Sequence, residues 1–381
     1  MAKKICFVSS MHPAYDKRVH DKEARSLHGA GFDVVHICPA ADDAARDTTS
    51  VIDGVRVRQY PTRPGLLNRM RQLGRLYRLA ASENADAYHA NEVDSWFVVA
   101  ALKLFKGKRS VFDVHEHYPS VFAESRFPRW SRPMVAAAVR LTYRALLPFT
   151  DRIVLAKLSV SDDFKCDAGK KVLVRNFTPV SSLAMAPIRS ARSDSDPMTI
   201  VHLGLFGKLR GWPQVIEALS KSDEKVRLLI IGTINDGTED EFWESVRANN
   251  LTERVSILGW MPFSDAFDHL LKADVGIIAF QPHIQNHIFA MPHKLFDYMA
   301  AGMSVIMPRQ AVEVAPIVQE AECGVLVDPA DPEDIARAIH ALLSDPQQAL
   351  EMGRRGQNAV RQTYNWESEA EHLVKMYEKL D

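Results

Sequence analysis

A lysine and two further polar side chains share one face of a short predicted helix, where their chemistry suits phosphate. In the segment FAMPHKLFDYMAAG, Pro292 stands where a helix can begin and Gly302 where one can end. Lys294, Asp297 and Tyr298 lie three and four residues apart, opposite an apolar face. The N–H groups of a helix start, its positive dipole end and a nearby ammonium attract phosphate. A surface helix with a solvated Lys294–Asp297 pair fits the same residues, so both interpretations stay open.

Short β-branched runs alternate with amphipathic stretches along most of the chain, which predicts parallel sheets with helices on both faces. The strands predicted in the N-terminal half are Ile5–Ser9, Val34–Cys38, Val55–Tyr60, Ala87–Ala90, Val111–Val114, Ile153–Ala156 and Val172–Val174. The strands predicted in the C-terminal half are Ile200–Leu203, Arg227–Ile231, Val255–Leu258, Val275–Ala279, Ser304–Met307 and Gly324–Val327. The amphipathic stretch Val19–Ala30 predicts a helix.

The segment between the two runs of strands is rich in Ser, Pro, Ala and Asp, so residues 179–197 are predicted to be a linker. We therefore expect a doubly wound Rossmann-like domain at 1–178 and a second at 198–365. A final helix at 366–381 is expected to pack back on the N-terminal domain. Ligands of such sheets bind outside the carboxyl ends of the strands. The expected site is thus a cleft across which the two domains face each other.

The composition favours a globular protein that does not bind nucleic acid. Of the 381 residues 46% are hydrophobic, and the net charge is −1. The cysteines have no metal-binding spacing, which fits reduced thiols in the cytoplasm; they are Cys6, Cys38, Cys166 and Cys323. The early polar residues argue against a signal peptide, and no apolar run reaches the ~18 residues of a membrane span. We expect a cytoplasmic protein, with peripheral contact at the inner face of the membrane left open.

Four parts of the sequence carry a recognisable pattern. In chain order they are YHANEVDSW followed by FDVHEHYP, then HLGLFGKLRG, PHKLFDYMAAGMSVI and ECGVLVDPADPEDIA. They resemble glycosyltransferase family 4, whose members are retaining enzymes with the two-domain α/β fold called GT-B. The resemblance covers nearly the whole chain. It implies a hexosyltransferase that moves a sugar from a nucleotide-diphosphate sugar to an acceptor hydroxyl, with no metal and no other cofactor. Fixed cations and helix N-termini would then stabilise the departing diphosphate.

The resemblance places the donor in the C-terminal half. Asp297 stands where the family uses a glutamate to bind the ribose hydroxyls, and a carboxylate can accept two hydrogen bonds from a vicinal diol. The family's other acid, which lies near the transferred sugar, is replaced by Phe289. The backbone N–H groups of Ala290 and Met291 are therefore expected to contact the sugar instead, with Asn286 or His287 as the alternatives.

The loop Gly204–Gly211 is similar to the family's phosphate loop, with Leu205 in place of an arginine and Arg210 in place of a lysine. Arg210 and Lys208 are expected to neutralise the diphosphate, since a guanidinium binds two phosphate oxygens at once. A solvated basic turn is the alternative. Trp260 fits either base recognition or core packing. The full predicted donor set is Gly204, Lys208, Arg210, Trp260, Met261, Ala290, Met291, Lys294 and Asp297.

In the N-terminal half, the family often places a catalytic histidine directly after the strand that ends at Val114. That position is His115, although a histidine at a strand end is also commonly a structural hydrogen-bonding residue. The residues predicted on the acceptor side are His89, Glu116 and His117. The loop Ser9–Pro13 lacks the glycines that many members carry there. Whether His12 or Arg18 makes the phosphate contact instead is left open.

Two arginine-rich segments, Arg63–Arg78 and Arg126–Arg144, lie in the half expected to receive the acceptor. A basic amphipathic helix suits an anionic membrane surface. We therefore predict docking to the cytoplasmic leaflet and a glycan or polyprenyl-diphosphate-linked saccharide as acceptor, as in surface polysaccharide biosynthesis. Ordinary helices whose apolar stripes pack inward fit equally well.

Two other functions stay open, a nucleotide-sugar epimerase of GT-B fold and a non-catalytic scaffold that binds nucleotide sugars. The segment PHKLFDYMA disfavours the epimerase. The scaffold is favoured by Phe289, Leu205 and the glycine-free first loop. UDP is the preferred nucleotide, with GDP close behind.

Overall fold

A computed structural model describes residues 2–40, 46–62, 66–180, 193 and 196–380. The chain folds into two compact units. The first contains residues 1–176 and 366–381, and the second contains residues 177–365. Most of the predicted linker, 179–197, lies outside the described residues.

The first unit is built on a mainly parallel sheet. Its strands are β1 Lys4–Val8, β2 Asp33–Pro39, β3 Thr48–Ile52, β4 Val55–Tyr60, β5 Ala87–Ala90, β6 Arg109–Val114, β7 Arg152–Leu155 and β8 Lys171–Leu173. Within the described part of the chain the sheet is eight-stranded, in the order β3-β4-β2-β1-β5-β6-β7-β8. Only β3 and β4 pair antiparallel among these strands. The chain reverses its direction of travel across the sheet between β1 and β5, which is where a doubly wound sheet binds ligands.

The helices of the first unit pack on both faces of this sheet. A π-helical turn, Val19–Ala24, continues into α1 Arg25–Gly29. Further along the chain lie α2 Leu66–Glu83, α3 Val93–Lys106, α4 Tyr118–Arg126 and α5 Arg132–Leu146. Short 3-10 turns occupy Arg129–Ser131, Leu147–Phe149, Leu158–Asp163 and Ala168–Lys170.

The second unit holds an all-parallel sheet of β9 Met198–Leu203, β10 Val226–Ile231, β11 Val255–Ile257, β12 Val275–Ile277, β13 Ser304–Pro308 and β14 Gly324–Val327. Its order in the described residues is β11-β10-β9-β12-β13-β14, so its reversal lies between β9 and β12. A 3-10 turn occupies Lys208–Arg210. Its helices are α6 Trp212–Ser220, α7 Glu239–Ala248, α8 Phe263–Leu270, α9 Gln285–Ile288, α10 His293–Ala300, α11 Ala315–Glu320, α12 Pro332–Ser344 and α13 Pro346–Gln362.

The last helix, α14 Trp366–Glu378, belongs to the first unit although it follows the second in sequence. The indole N–H of Trp366 donates to the Ser26 hydroxyl at 2.9 Å. The buried carboxylate of Glu369 accepts from the backbone N–H and the guanidinium of Arg175 at 2.6 to 2.9 Å. Leu373 and Tyr377 are fully buried in the same core. Packing and a buried ion pair thus hold the chain's end on the first sheet.

Every predicted strand is present, with small shifts at the ends, so the predicted fold class is confirmed. The strand β3 was missed because its residues, TTSVI, form an exposed antiparallel edge and lack an alternating apolar pattern. No helix of the described residues is long and apolar enough to cross a bilayer.

Candidate active site

The loop that follows β9 has the open backbone of an anion-binding turn. Gly204 has a φ of +87°, which favours glycine. A Cβ on Gly204 would lie 4.0 Å from Nζ of Lys294, so the missing side chain leaves the approach to that amine open. Gly232, after β10, packs directly against the carbonyl of Gly204, where any Cβ would collide. The backbone segments that follow β9 and β10 therefore pack closely against each other, beside the amine of Lys294.

Lys294 and Arg210 meet at the ring of Phe280. The ammonium lies 5.6 Å from the ring centroid, and the Arg210 guanidinium carbon lies 5.7 Å from it. The guanidinium also donates to the carbonyl of Leu205 at 3.2 Å, and Nζ of Lys294 lies 3.0 Å from Nε2 of His202. Aromatic faces attract cations, which helps to hold two like charges close together.

Lys294 is a buried lysine, exposed by 9%. Burial lowers its pKa well below the ordinary value, and the charge of Arg210 lowers it further, while Asp297 acts in the opposite direction. An anion bound beside these two cations would offset both effects. The geometry therefore has the chemistry of a phosphate site that is completed by its ligand.

The predicted polar face of α10 is wrong, since the whole helix from Lys294 to Ala300 is buried. The hydroxyl of Tyr298 accepts from the backbone N–H of Leu203 at 2.8 Å instead of meeting solvent. This burial excludes the alternative of a solvated Lys294–Asp297 pair. The predicted start and end are correct, because Pro292 caps the helix and Gly302 has a φ of +72°.

Asp297 is 1% exposed, and its Oδ1 accepts a hydrogen bond from the Thr178 hydroxyl at 2.6 Å. Its role as a ribose ligand stays a prediction, and a ribose contact would have to use the second carboxylate oxygen. Thr178 is a residue that sequence reasoning missed, since nothing in the sequence pairs it with a helix more than a hundred residues away.

The other predicted donor residues differ in exposure and in their partners. Trp260 is 82% exposed, which excludes core packing, whereas Met261 packs partly against the core. The backbone N–H of Ala290 already donates to the carbonyl of His287 at 3.2 Å, so its predicted sugar contact competes with this turn. The side chain of Met291 is buried. The ammonium of Lys208 pairs with Glu241, so the structure does not bring it together with Lys294.

In the first unit, a buried arginine organises the end of β6. The Arg18 guanidinium binds both oxygens of Asp113, each at 2.8 Å, and Oδ2 of Asp113 also lies 3.1 Å from Nδ1 of His115. Burial alone would raise the pKa of Asp113, but Arg18 and then His115 outweigh it and the pKa is lowered. An ionised Asp113 fixes the Nδ1–H tautomer of His115, which leaves Nε2 for a substrate. Sequence reasoning left Arg18 open as a phosphate contact, but its side chain is buried and bound to Asp113 instead.

Two of the predicted acceptor residues are corrected by the structure. His89 is fully buried, stacked on Phe7 and 2.7 Å from the Tyr377 hydroxyl, so it cannot line a substrate surface. His117 uses both ring nitrogens inside the protein, at 2.8 Å from the Ser120 hydroxyl and 3.0 Å from Asp163. Glu116 is half-exposed near Lys157 and stays a prediction.

Glu23, His89 and Asp113 are the only described residues grouped closely enough to hold a metal ion. Arg18 already lies 3.0 Å from Glu23 and 2.8 Å from Asp113. Burial raises the pKa of Glu23 well above its ordinary value, and burial lowers the pKa of His89 to about 4. A divalent cation would have to displace the guanidinium, so the trio is better explained as an internal charge cluster.

The loop after β1 holds a second buried carboxylate, that of Glu92. It accepts hydrogen bonds from the backbone N–H groups of Ser10, Met11 and His12 at 2.9, 3.0 and 3.1 Å. It also lies 2.5 Å from Nδ1 of His12. The rings of His12 and His115 meet edge to face with centroids 4.8 Å apart. The carboxyl ends of β1, β5 and β6 thus carry two neighbouring histidines, each held by a buried carboxylate.

Comparisons with known proteins define the class to which these features belong. Residues 18–172 match the family described as Glycosyltransferase Family 4, and residues 187–359 match Glycosyl transferases group 1. The chain therefore belongs to the family 4-like glycosyltransferases, which have the GT-B fold.

Two curated relatives are glycosyltransferases. A D-inositol 3-phosphate glycosyltransferase of Corynebacterium kroppenstedtii is 26% identical over 54% of this chain and 46% of its own length. An MMP alpha-(1->4)-mannosyltransferase of Mycolicibacterium hassiacum is 28% identical over 24% of this chain and 22% of its own length. The matched segments thus span less than half of either relative.

Solved structures share the fold over the whole chain. A sucrose-phosphate synthase from Thermosynechococcus elongatus has 19% identity and a TM-score of 0.74, with 99% of both chains covered. HepE from Anabaena, solved in complex with UDP, has 16% identity and a TM-score of 0.69 over 99% of this chain and 100% of its own. At these identities the likeness is one of fold.

The His12–Glu92 pair predicts how stability varies with pH. Burial lowers the pKa of His12, but the hydrogen bond and charge of Glu92 raise it from 6.5 to about 9. Burial raises the pKa of Glu92, but His12 and the backbone donors lower it from 4.5 to about 2. The histidine's contribution is complete below its unfolded pKa and is lost as the pH rises through about 9. The carboxylate's contribution is complete above its unfolded pKa and is lost as the pH falls through about 2.

We expect Glu92→Gln to destabilise the protein by roughly 3 kcal/mol between about pH 4.5 and 6.5, because it breaks a buried pair. The decline of stability from pH 7 to 9 should flatten in this variant. Urea unfolding at stepped pH measures both effects. Glu371→Gln, which removes an exposed partner of Lys375, is the control and should change little. Equal pH profiles for the Glu92 variant and the wild type would contradict the assignment.

Proposed function

We propose that this glycosyltransferase moves a hexose from a nucleotide-diphosphate sugar, preferably a UDP-sugar, to an acceptor hydroxyl. The observation that carries the proposal is the pair of cations, Lys294 and Arg210, held over Phe280 beside the open backbone of Gly204. A diphosphate supplies the negative charge that this arrangement calls for. The complexes of HepE with UDP and with UDP-glucose support UDP as the nucleotide. GDP is the alternative.

The proposed donor contacts follow the geometry of the second unit. Lys294 and Arg210 bind the diphosphate, with the N-terminus of α10 adding its dipole. The carboxylate of Asp297 binds the ribose hydroxyls. The exposed indole of Trp260 and the adjacent Met261 contact the base, and the backbone of Met291 contacts the sugar.

The proposed reaction proceeds with retention by front-face attack. The bond between the anomeric carbon and the diphosphate oxygen breaks, and the acceptor oxygen bonds to the same face of the oxocarbenium-like centre. The acceptor's proton passes to the departing phosphate oxygen. Two buried carboxylates support this route over a double displacement, because Asp113 is clamped by Arg18 and Glu92 is surrounded by hydrogen-bond donors. Neither is available as a nucleophile.

Metal independence is part of the proposal. Fixed cations stabilise the leaving group in a buried site, where electrostatic interactions are strong. Lys294 and Arg210 supply that charge without a metal ion. His115, oriented by Asp113, is proposed to hydrogen-bond the transferred sugar as charge develops at its anomeric carbon.

Lys294→Met and Arg210→Met should each weaken UDP binding roughly 10- to 100-fold, through the loss of one charge-assisted contact to phosphate. Isothermal titration calorimetry with UDP measures the loss. Uridine, which has no phosphate, should bind all proteins equally weakly. Lys221→Met removes an exposed lysine that pairs with Glu217 and Glu333, and it should leave UDP affinity unchanged. Unaltered UDP affinity in both site variants would rule out the proposed donor site.

The activity itself is tested by incubating the protein with UDP-, GDP- and ADP-sugars. Release of nucleoside diphosphate supports transfer. An epimerised donor would identify the epimerase, and binding without turnover would identify the scaffold.

His115→Ala is expected to lower turnover roughly 100-fold while the KM for the donor changes little, since the proposed contact strengthens in the transition state. Steady-state release of nucleoside diphosphate measures kcat and KM separately. His340→Ala, on the exposed face of α12, is the control. If His115→Ala kept full turnover, the histidine would have no catalytic role.

The acceptor is proposed to be a glycan or a polyprenyl-diphosphate-linked saccharide presented at an anionic membrane surface. The structure favours one of the two basic segments as the docking surface. In α2 the apolar residues Leu76 and Ala80 are buried, Arg69 pairs with Asp94, and Arg75 pairs with Asp47, as in an inward-packed helix. Arg63 and the side chain of Arg126 lie outside the described residues.

The helix α5 has the opposite arrangement, with large apolar side chains in solvent. Met134 is 68% exposed and Leu141 is 64% exposed, two turns apart on one face. Trp130, in the turn that precedes α5, is 79% exposed. Arg144 is exposed on the same helix, and Arg140 is exposed although its guanidinium donates to Asp163 at 2.7 Å. Apolar side chains flanked by arginines match the interfacial region of an anionic bilayer.

Wild-type protein should co-sediment with phosphatidylglycerol vesicles at low salt and much less at high salt or with phosphatidylcholine alone. Met134→Ser combined with Leu141→Ser should abolish most of this binding. Met70→Ser, an exposed change on α2, should preserve it. Absence of wild-type binding at low salt would end the membrane proposal.

A further inference from the structure

The backbone N–H groups of the loop after β1 are occupied by a side chain of the protein itself. In a doubly wound sheet, consecutive N–H groups after the first strand form a nest that binds phosphate. Here the N–H groups of Ser10, Met11 and His12 all donate to the carboxylate of Glu92. The Ser95 hydroxyl donates to the same carboxylate at 2.9 Å. The nest is therefore filled by an anion of the protein itself, and a phosphate cannot use these donors.

Glu92 also favours a positive charge on the neighbouring imidazole of His12. Its Oε1 lies 2.5 Å from Nδ1 of His12, so this nitrogen is a donor to Glu92. The charges of Asp16 and Asp113 favour the imidazolium as well, although less than Glu92 does. The proton-bearing Nε2 is the ring atom of His12 that is not committed to Glu92. The side chain is 21% exposed, so one edge of the ring reaches the surface.

The position of this imidazolium places it beside the proposed catalytic residue. His12 and His115 meet edge to face at 4.8 Å, and the His115 side chain is 12% exposed. They follow β1 and β6, which flank β5 on either side of the point where the sheet reverses. A general-base role for His12 does not fit, because a histidine that stays protonated up to about pH 9 has no lone pair to accept a proton.

We propose that His12 is a further substrate-binding residue, an imidazolium whose Nε2–H binds a phosphoryl oxygen next to His115. It replaces the backbone nest that Glu92 fills. This inference rests on the proposed function, in which both the donor and a lipid-linked acceptor carry phosphate. The bound oxygen belongs either to the donor's diphosphate or to a phosphate of the acceptor, and the experiment distinguishes these sources.

The test uses His12→Gln, which keeps a donor to Glu92 but removes the charge, and His12→Lys, which restores a charge. Calorimetry follows UDP binding in one arm. In the other arm, inorganic phosphate is added to protein already saturated with UDP. If His12 binds the donor, His12→Gln weakens UDP binding roughly 10- to 100-fold, as expected for one charged hydrogen bond. If His12 instead binds the acceptor's phosphate, His12→Gln binds UDP as wild type does but binds inorganic phosphate more weakly. His12→Lys should recover part of either loss.

The pH profile separates a charge effect from a structural one. The affected binding should fall in wild type as the pH rises through about 9, and in Glu92→Gln the fall should move towards the ordinary histidine value of 6.5. Far-UV circular dichroism confirms that the variants are folded. If His12→Gln binds both UDP and inorganic phosphate as wild type does, the inference is overturned. If wild type itself does not bind UDP, the proposed function fails, and inorganic phosphate titrated into the ligand-free wild type and His12→Gln proteins still decides the role of His12.

Discussion

Two positive charges held against one aromatic ring are the constraint on which the second unit depends. Lys294 is buried, and both its ammonium and the guanidinium of Arg210 lie over the ring of Phe280. The positive charge of each side chain disfavours the positive charge of the other. Three neighbouring groups contact the two side chains and stabilise them: the Phe280 ring, the imidazole of His202 and the carbonyl of Leu205. The glycines at the ends of β9 and β10 keep the space beside the pair open. An anionic ligand would relieve the repulsion between these two side chains, which is why we propose that a diphosphate binds here.

In the first unit the buried charges are negative rather than positive. Two buried carboxylates there hydrogen-bond to two histidines. Asp113, held ionised by Arg18, sets the tautomer of His115. Glu92, held ionised by backbone donors, keeps His12 charged. The two imidazole rings, each hydrogen-bonded to a buried carboxylate, lie with their centroids 4.8 Å apart. Both carboxylates are thus engaged by neighbouring donors within the first unit.

The sequence was sufficient for the fold class and for every described strand except the exposed edge strand β3, because apolar β-branched runs indicate burial between two layers of helices. It was insufficient where burial depends on tertiary packing. The helical pattern of α10 indicated one polar face, yet Lys294, Asp297 and Tyr298 are all enclosed by neighbouring elements. His89 looked like a strand-end ligand, but the return of α14 to the first sheet covers it with Tyr377. Arg18, Glu92 and Thr178 act through partners far away in the sequence, and no local pattern reports such pairs.

The central claim, that the Lys294–Arg210 pair receives a diphosphate, is tested most directly by proton uptake on UDP binding. The pKa of Lys294, lowered in the ligand-free protein, should rise when phosphate arrives, so UDP binding should draw protons from the buffer across the pH range in which this amine titrates. Calorimetric titrations in buffers of different ionisation enthalpy count those protons. The account predicts net uptake in wild type and its loss in Lys294→Met. UDP binding with no proton uptake, or with equal uptake in the variant, would contradict it.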